Sequence, residues 1–275
     1  MAAGAILGAG IYTYIGALVT APVCLLITWL VGWRQGQRST KAFLAPAAGF
    51  ALVLLPFIAW HLVHPEQYAG QIRMYSLYDP SELNPAEGAR QLLSMASLSE
   101  RLAVYWDYFN PSFLFFAGDS GLINGTRAVG IFLLPVMVLL PIGLVRLVAV
   151  HGTTPRVVVL LGLAVAPLAA TLVAERYRIN RALVMLPFAS LVATIGVEAL
   201  WSAQRRAFRV LVVVLLALMP LQFAVFSLDY FGDYRARSAS WLEYNIAGGL
   251  EEILSRQPES PFPVYIDRNI QWVEY

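Results

Sequence analysis

The amino-acid sequence is dominated by apolar runs close to the length that crosses a lipid bilayer. Six such runs occur, at about 6–32, 42–61, 128–150, 157–174, 182–201 and 210–227. A transmembrane helix needs ~20 mostly apolar residues. Charged residues make up 13% of the 275-residue chain, against roughly 25% in soluble domains. The sequence therefore predicts an all-α polytopic membrane protein with about six transmembrane helices.

The short connections between these runs have a strong charge bias. Those at 33–41, 145–157 and 202–209 contain no acidic residue and eight basic ones: Arg34, Arg38, Lys41, Arg146, Arg156, Arg205, Arg206 and Arg209. The positive-inside rule places such connections in the cytoplasm. Alternation of the spans then predicts that the N-terminus, the loop at 62–127, the turn at 175–181 and the tail from 228 are extracytoplasmic.

These runs predict four regions. Residues 1–61 would form two transmembrane helices, 62–127 an extracytoplasmic loop with interfacial helices, 128–227 four further transmembrane helices, and 228–275 an extracytoplasmic tail. Near the start, Gly4 and Gly8 form a pair of small residues one helical turn apart, which favours packing against another helix. In the tail, an apolar helical stripe at 236–256 and a strand at 264–267 cannot bury a core alone. We expect this α/β segment to be truncated or to dock on the membrane part.

The most aromatic stretch is "YWDYFNPSFLFFAGDSG" at 105–121, called here the aromatic loop. The pattern predicts a helix at 97–109, opened by Ser97 or Ser99, that is broken at Asn110-Pro111. The following run is too short to span a bilayer and suits a dip into the membrane interface, so three side chains are predicted to face lipid: Phe113, Phe115 and Phe116. The carboxylates of Asp107 and Asp119 could orient a sugar hydroxyl or act as a base; alternatively they are helix caps or turn formers.

The turn "ERYRINR" at 175–181, called here the arginine turn, opposes the charge bias of the other short connections. It holds Arg176, Arg178 and Arg181 on the side predicted to be extracytoplasmic. Arginine binds phosphate through two parallel hydrogen bonds, so a phosphorylated lipid is a natural partner. The alternative is that these arginines pair with Glu175, with the acidic loop at 62–127, called here the long loop, or with membrane lipid.

Other features narrow the function classes. His61 and His64 lie near Glu66 and could hold a divalent metal, although no third firm ligand is evident; hydrogen-bonded interfacial histidines are the simpler interpretation. The net charge of +2 does not suggest a nucleic-acid partner, and the single cysteine, Cys24, excludes a disulfide framework. No Walker A motif, Rossmann glycine pattern, G-x-S-x-G or H-E-x-x-H occurs.

Three segments, in matching order, resemble the bacterial polytopic glycosyltransferases of the GT-C class, the relatives of protein mannosyltransferases and of the lipid A aminoarabinose transferase. They are "YFNPSFLFFAGD" at 108–119, "ERYRINRALVMLPF" at 175–188 and "YFGDYRARSASWL" at 230–242. The resemblance implies a C-terminal portion of such an enzyme in the bacterial inner membrane. It would transfer a sugar from a polyprenyl-phosphate donor to a protein, lipid or glycan acceptor in the cell envelope.

The resemblance also implies roles for individual residues. Arg176, Arg178 and Arg181 would bind the donor phosphate, while Asp107, Asn110 and Asp119 would orient the sugar or fix the loop. The expected catalytic acid belongs to an earlier extracytoplasmic loop that would precede residue 1. Two other classes remain open: a transporter or flippase of a lipid-linked substrate, although no internal repeat is evident, and a non-catalytic membrane scaffold.

Overall fold

The computed structural model describes residues 1–36, 39–75, 77–149, 154–239, 241–242, 248, 251–252 and 255. Helices dominate these residues, and none of them lies in a strand. A 3-10 turn at Gly10–Tyr12 and a π-helical turn at Ser112–Phe116 accompany the α-helices. The α-helices are α1 Ala2–Ala9, α2 Ala17–Arg34, α3 Thr40–Val63, α4 Pro65–Met74, α5 Pro85–Leu92, α6 Met95–Asp107, α7 Leu134–Ala149, α8 Thr154–Val165, α9 Leu168–Leu172, α10 Ile179–Ala182, α11 Met185–Trp201, α12 Arg206–Phe231 and α13 Asp233–Ser238.

Four helical stretches of the described chain are long and apolar enough to cross a membrane. They are Ala17–Arg34, Phe43–Val63, Pro155–Leu172, which covers α8 and α9, and Arg206–Phe231. The predicted runs at 128–150 and 182–201 correspond to the shorter helices α7 and α11, of 16 and 17 residues. These lengths lie at or just below the ~17 residues that a span requires. The fold is therefore that of a helical protein compatible with integral insertion in a membrane.

The first predicted span, at 6–32, is wrong as a single helix. The chain forms α1 and the 3-10 turn, and α2 begins only at Ala17. Helix α1 lies against α3 in the same direction, because Gly4 contacts Pro46 and Gly8 contacts Phe50. A Cβ at Gly4 would overlap the carbonyl group of Pro46. This confirms that the small residues pack against another helix.

Helix α2 runs opposite to α1 and α3. Trp29, late in α2, lies edge-on to Phe43 at the start of α3, with ring centroids 6.0 Å apart. Helices α1 and α2 therefore form a hairpin, and Met1 lies towards the end of the bundle where α3 begins. The sequence analysis placed the N-terminus on the extracytoplasmic side because it counted residues 6–32 as one span. Since these residues form a hairpin instead, that count no longer supports the placement.

One end of the bundle gathers the long loop and the arginine turn. Arg181 contacts Tyr14, in the turn between α1 and α2, and Tyr75, in the long loop. Helix α7 begins at this end as well, because the segment just before it contacts the aromatic loop through the Phe132 N–H and the Leu114 carbonyl oxygen (2.8 Å). The backbone N–H of Leu134 donates to the side chain of Gln222 (2.8 Å), which brings the second half of α12 to the same end.

The aromatic loop is part of the protein core. Helix α6 agrees with the predicted helix at 97–109 but begins two residues earlier, with Ser94 as its cap. Beyond the Asn110-Pro111 break, the π-helical turn buries Phe113 and Phe115, which have rings 5.1 Å from Tyr108 and 6.2 Å from Phe132, respectively. The interpretation of these two side chains as lipid-facing does not agree with their burial. They contact α6 and the segment before α7, and only Phe116, 50% exposed, remains at the surface.

After α12, the chain folds back over the loop. The Tyr234 hydroxyl in α13 donates to the carbonyl oxygen of Leu122 (2.6 Å), and Trp241 lies beside Gly121. The helix predicted at 236–256 is interrupted, because α13 ends at Ser238 and the described residues 239, 241 and 242 lie in a turn or bend. The strand predicted at 264–267 lies outside the described residues.

Candidate functional site at the arginine turn

The aromatic loop and the arginine turn form one structural unit, joined by two ion pairs, and a third ion pair lies within the turn. Arg176 Nη1 lies 3.0 Å from Asp107 Oδ2, Arg178 Nη1 lies 3.5 Å from Asp119 Oδ1, and Arg181 Nε lies 2.6 Å from Glu175 Oε2. The structure thus brings the predicted arginines and carboxylates together across 59 residues of sequence in the case of Arg178. Each arginine is therefore paired with a carboxylate of the turn or of the long loop, which the sequence analysis gave as the alternative to phosphate binding.

The backbone of the arginine turn has an uncommon conformation. Ala174 and Tyr177 have positive φ angles of 54° and 53°, a region that costs non-glycine residues about 1–3 kcal/mol. The buried Tyr108 stabilises this shape, because its hydroxyl donates to the Glu175 carbonyl oxygen (2.9 Å) and accepts from the Arg178 N–H (3.2 Å). Burial raises the pKa of the Tyr108 phenol, so the hydroxyl keeps the proton that it donates.

Asp119 fixes the two segments against each other. Its side chain is fully buried. Its Oδ2 accepts from the Ile179 N–H (2.8 Å) and its Oδ1 accepts from the Gly121 N–H (2.8 Å). Both carboxylate oxygens are therefore engaged by the backbone, in addition to the contact with Arg178. This geometry suits the loop-fixing role that the sequence suggested.

Asp107 lies closer to the surface. Its Oδ1 accepts from the Tyr177 hydroxyl (3.0 Å), and its Oδ2 pairs with Arg176. Asn110 accepts through Oδ1 from the Ser112 N–H (2.9 Å), which stabilises the start of the π-helical turn. The side chains of Arg176 and Arg178 are 53% and 36% exposed. They are therefore accessible to an anion at the rim of the unit.

Arg181 has a different setting, in the wall of a largely apolar cavity of about 290 Å³. Its side chain is only 9% exposed. Its Nη1 donates to the Tyr14 hydroxyl (3.2 Å), and its guanidinium lies 5.0 Å from the centre of the Tyr75 ring. The other lining residues come mainly from α2, α3, α4 and α9, with His61 and Gln71 the remaining polar ones. A lipid chain ending in a phosphate would match such a cavity.

The sequence analysis did not identify the tyrosines of this site. Tyr108 and Tyr177 lie within the segments already singled out, so their aromatic character was visible but their hydroxyl contacts were not. Tyr14 and Tyr75 offered no signal, because their contact with Arg181 depends on how distant helices pack.

The histidine cluster has a structural setting of its own. Nδ1 of His61 lies 3.0 Å from the Phe57 carbonyl oxygen, and Nδ1 of His64 lies 3.1 Å from that of Trp60. Within the described ranges, no group of three or more His, Cys, Asp or Glu side chains is arranged to hold a metal ion.

Comparisons with protein-family models, with curated proteins and with solved structures give no match to this chain.

Proposed function

We propose that the chain is part of a GT-C-like membrane glycosyltransferase that uses a polyprenyl-phosphate sugar donor. The observation that carries the proposal is the position of Arg181, a guanidinium in the wall of an apolar cavity between apolar helices. A polyprenyl phosphate has the same division into a long apolar chain and one anionic group. The resemblance of three segments to the GT-C class supports the same assignment.

The chemistry of the proposal is a displacement at the anomeric carbon of the sugar. The acceptor hydroxyl forms the new bond and gives its proton to a base, while the bond to the donor phosphate oxygen breaks. Negative charge develops on that phosphate, and prepositioned arginines lower the barrier by stabilising it. Arg181 would bind the phosphate from the cavity, with Arg176 and Arg178 at the rim, while Asp119 and Tyr108 hold the turn in shape. The base is assigned to no residue of this chain.

The proposed topology has six spans. Helices α7 and α11 would join the four longer stretches, while α1 enters the membrane only partly as one arm of the α1–α2 hairpin. The connections rich in basic residues would face the cytoplasm. The end of the bundle that carries Arg181 would then be extracytoplasmic, on the outer face of the bacterial inner membrane, where the acceptor is also located.

The proposal is tested by the binding of a polyprenyl phosphate to the purified chain in detergent, measured by native mass spectrometry. We expect Arg181→Gln to weaken binding by at least about tenfold, because a hydrogen bond to a charged group contributes about 1.5–3 kcal/mol. Arg176→Ala and Arg178→Ala should each weaken it less, since these side chains are partly solvated. Size-exclusion profiles and circular dichroism establish that each variant is folded.

Two controls make the result specific. Arg209→Gln removes the same charge at the opposite end of α12, where Arg209 donates to the Trp201 carbonyl oxygen, and should leave binding unchanged. The uncharged polyprenol should bind the parent chain and Arg181→Gln equally. If folded Arg181→Gln binds the phosphate as tightly as the parent, the assignment of Arg181 is wrong.

A further inference from the structure

A second apolar groove lies beside α12, apart from the Arg181 cavity. It has a volume of about 450 Å³ and is bounded by the loop at 123–133, the start of α11 and an aromatic face of α12. Four rings form a continuous ladder along this face: Phe223, Phe226, Tyr230 and Tyr234, with successive centroids 6.1, 5.8 and 5.2 Å apart. The groove therefore follows the last turns of α12 and ends at α13.

The surroundings of the groove favour a lipid chain as its occupant. Helix α12 has the length and composition of a membrane span, and only 11% of its most apolar window is buried inside the protein. Its exposed side chains would therefore be solvated by lipid. The groove is lined mainly by apolar and aromatic residues. Its occupation by an acyl chain is therefore favoured over its occupation by water.

The mouth of the groove carries positive charge. Arg237 Nη2 donates to both oxygens of Asp229, at 2.8 Å each, and lies 3.5 Å from the carbonyl oxygen of Thr126, a lining residue. The pair with Asp229 holds the guanidinium at the mouth. A guanidinium has five N–H donors, so it can keep this pair and also contact a phosphate. Arg127 and Arg235 lie next to these residues in sequence and are exposed, as is Asp233, so this region has one more basic than acidic side chain.

We infer that this groove binds an anionic phospholipid, with one acyl chain along the aromatic ladder and the phosphate at Arg237. The inference does not depend on the proposed transferase function, because it uses a different groove and different basic residues.

The test uses the full chain in detergent, titrated with long-chain phosphatidylglycerol and phosphatidylcholine and followed by native mass spectrometry. We expect phosphatidylglycerol to be retained preferentially. Arg237→Gln should weaken its binding by about fivefold, the effect of one interfacial arginine on an anionic lipid. Val129→Phe, which adds bulk to the groove wall, should weaken binding of either lipid at this site. Arg90→Gln removes an exposed charge in α5, away from the groove, and should have no effect.

The outcomes are decisive in each direction. Equal loss in Arg90→Gln and Arg237→Gln would show general electrostatic attraction and overturn the inference. Binding of inorganic phosphate or of a short-chain phosphatidylglycerol as tight as that of the long-chain lipid would exclude the acyl-chain role. If Val129→Phe does not fold, Arg237→Gln alone decides, since an unchanged preference for phosphatidylglycerol in that variant rejects the site.

Discussion

Replacing Asp119 with alanine should lower the free energy of unfolding by about 3 kcal/mol. The substitution leaves the half-buried N–H of Ile179 and the buried N–H of Gly121 without their acceptor. It also removes the carboxylate that pairs with Arg178. The partly exposed Arg178 can turn to solvent, so most of the cost comes from the two backbone donors. Unfolding of the detergent-solubilised chain by sodium dodecyl sulfate, followed by circular dichroism, measures the change.

Asp107→Ala is the matched control, because it removes the other carboxylate that pairs with the arginine turn. The partner Arg176 is more than half exposed, so the ion pair contributes little, and together with the hydrogen bond from the Tyr177 hydroxyl its loss should cost only about 1 kcal/mol. Equal losses in the two variants would contradict the distinction between a buried residue that fixes the fold of the turn and a surface ion pair.

Replacing Gly143 with leucine should destabilise the protein by about 3 kcal/mol or more. Helices α7 and α11 approach so closely that a Cβ at Gly143 would overlap the carbonyl oxygen of Val192. On the facing helix, a Cβ at Gly196 would overlap the carbonyl oxygen of Leu139. A leucine can be accommodated only if the two helices separate, which removes contacts along their length. The midpoint of thermal unfolding in detergent reports this loss.

Gly70→Ala tests whether the effect belongs to the close packing of helices rather than to glycine in general. Gly70 lies in α4, and a Cβ there would meet no heavy atom within 4 Å. Alanine also has the higher helix propensity, by up to about 1 kcal/mol, so this variant should be at least as stable as the parent. A Gly143→Leu variant as stable as Gly70→Ala would show that α7 and α11 do not pack as described.

The helical class and most helix positions could be predicted because the apolar runs are long and their composition is unambiguous. The hairpin of α1 and α2 could not, since residues 6–32 are uncharged throughout and no proline marks the break before Ala17. The residues at the break are held by packing against α3, where the Tyr12 hydroxyl donates to the carbonyl oxygen of Val53 (2.7 Å). Such a contact between residues 41 positions apart has no local signature.

In the candidate site too, features of a single segment could be predicted, whereas contacts between distant segments could not. Charge bias singled out the arginine turn as a candidate site, and pairing of its arginines with carboxylates of the long loop was one of the alternatives that the sequence left open. The lipid-facing interpretation of Phe113 and Phe115 failed because aromatic residues suit a membrane interface and a protein core equally well. Their burial depends on the π-helical turn and on the backbone hydrogen bond from Phe132 to Leu114 (2.8 Å). The cavity around Arg181 depends on five separate segments, so no single motif predicts it.

The most direct test of the central claim is photo-crosslinking with a polyprenyl phosphate that carries a photoreactive group on its isoprenoid chain. If the isoprenoid chain of the probe occupies the Arg181 cavity, crosslinked peptides should map to the cavity wall, at Leu18 of α2, Ile72 of α4 or Leu172 of α9. Excess unlabelled polyprenyl phosphate should abolish these crosslinks, and Arg181→Gln should reduce them. Crosslinks confined to the aromatic ladder of α12, or spread over lipid-facing helices without competition, would contradict the account.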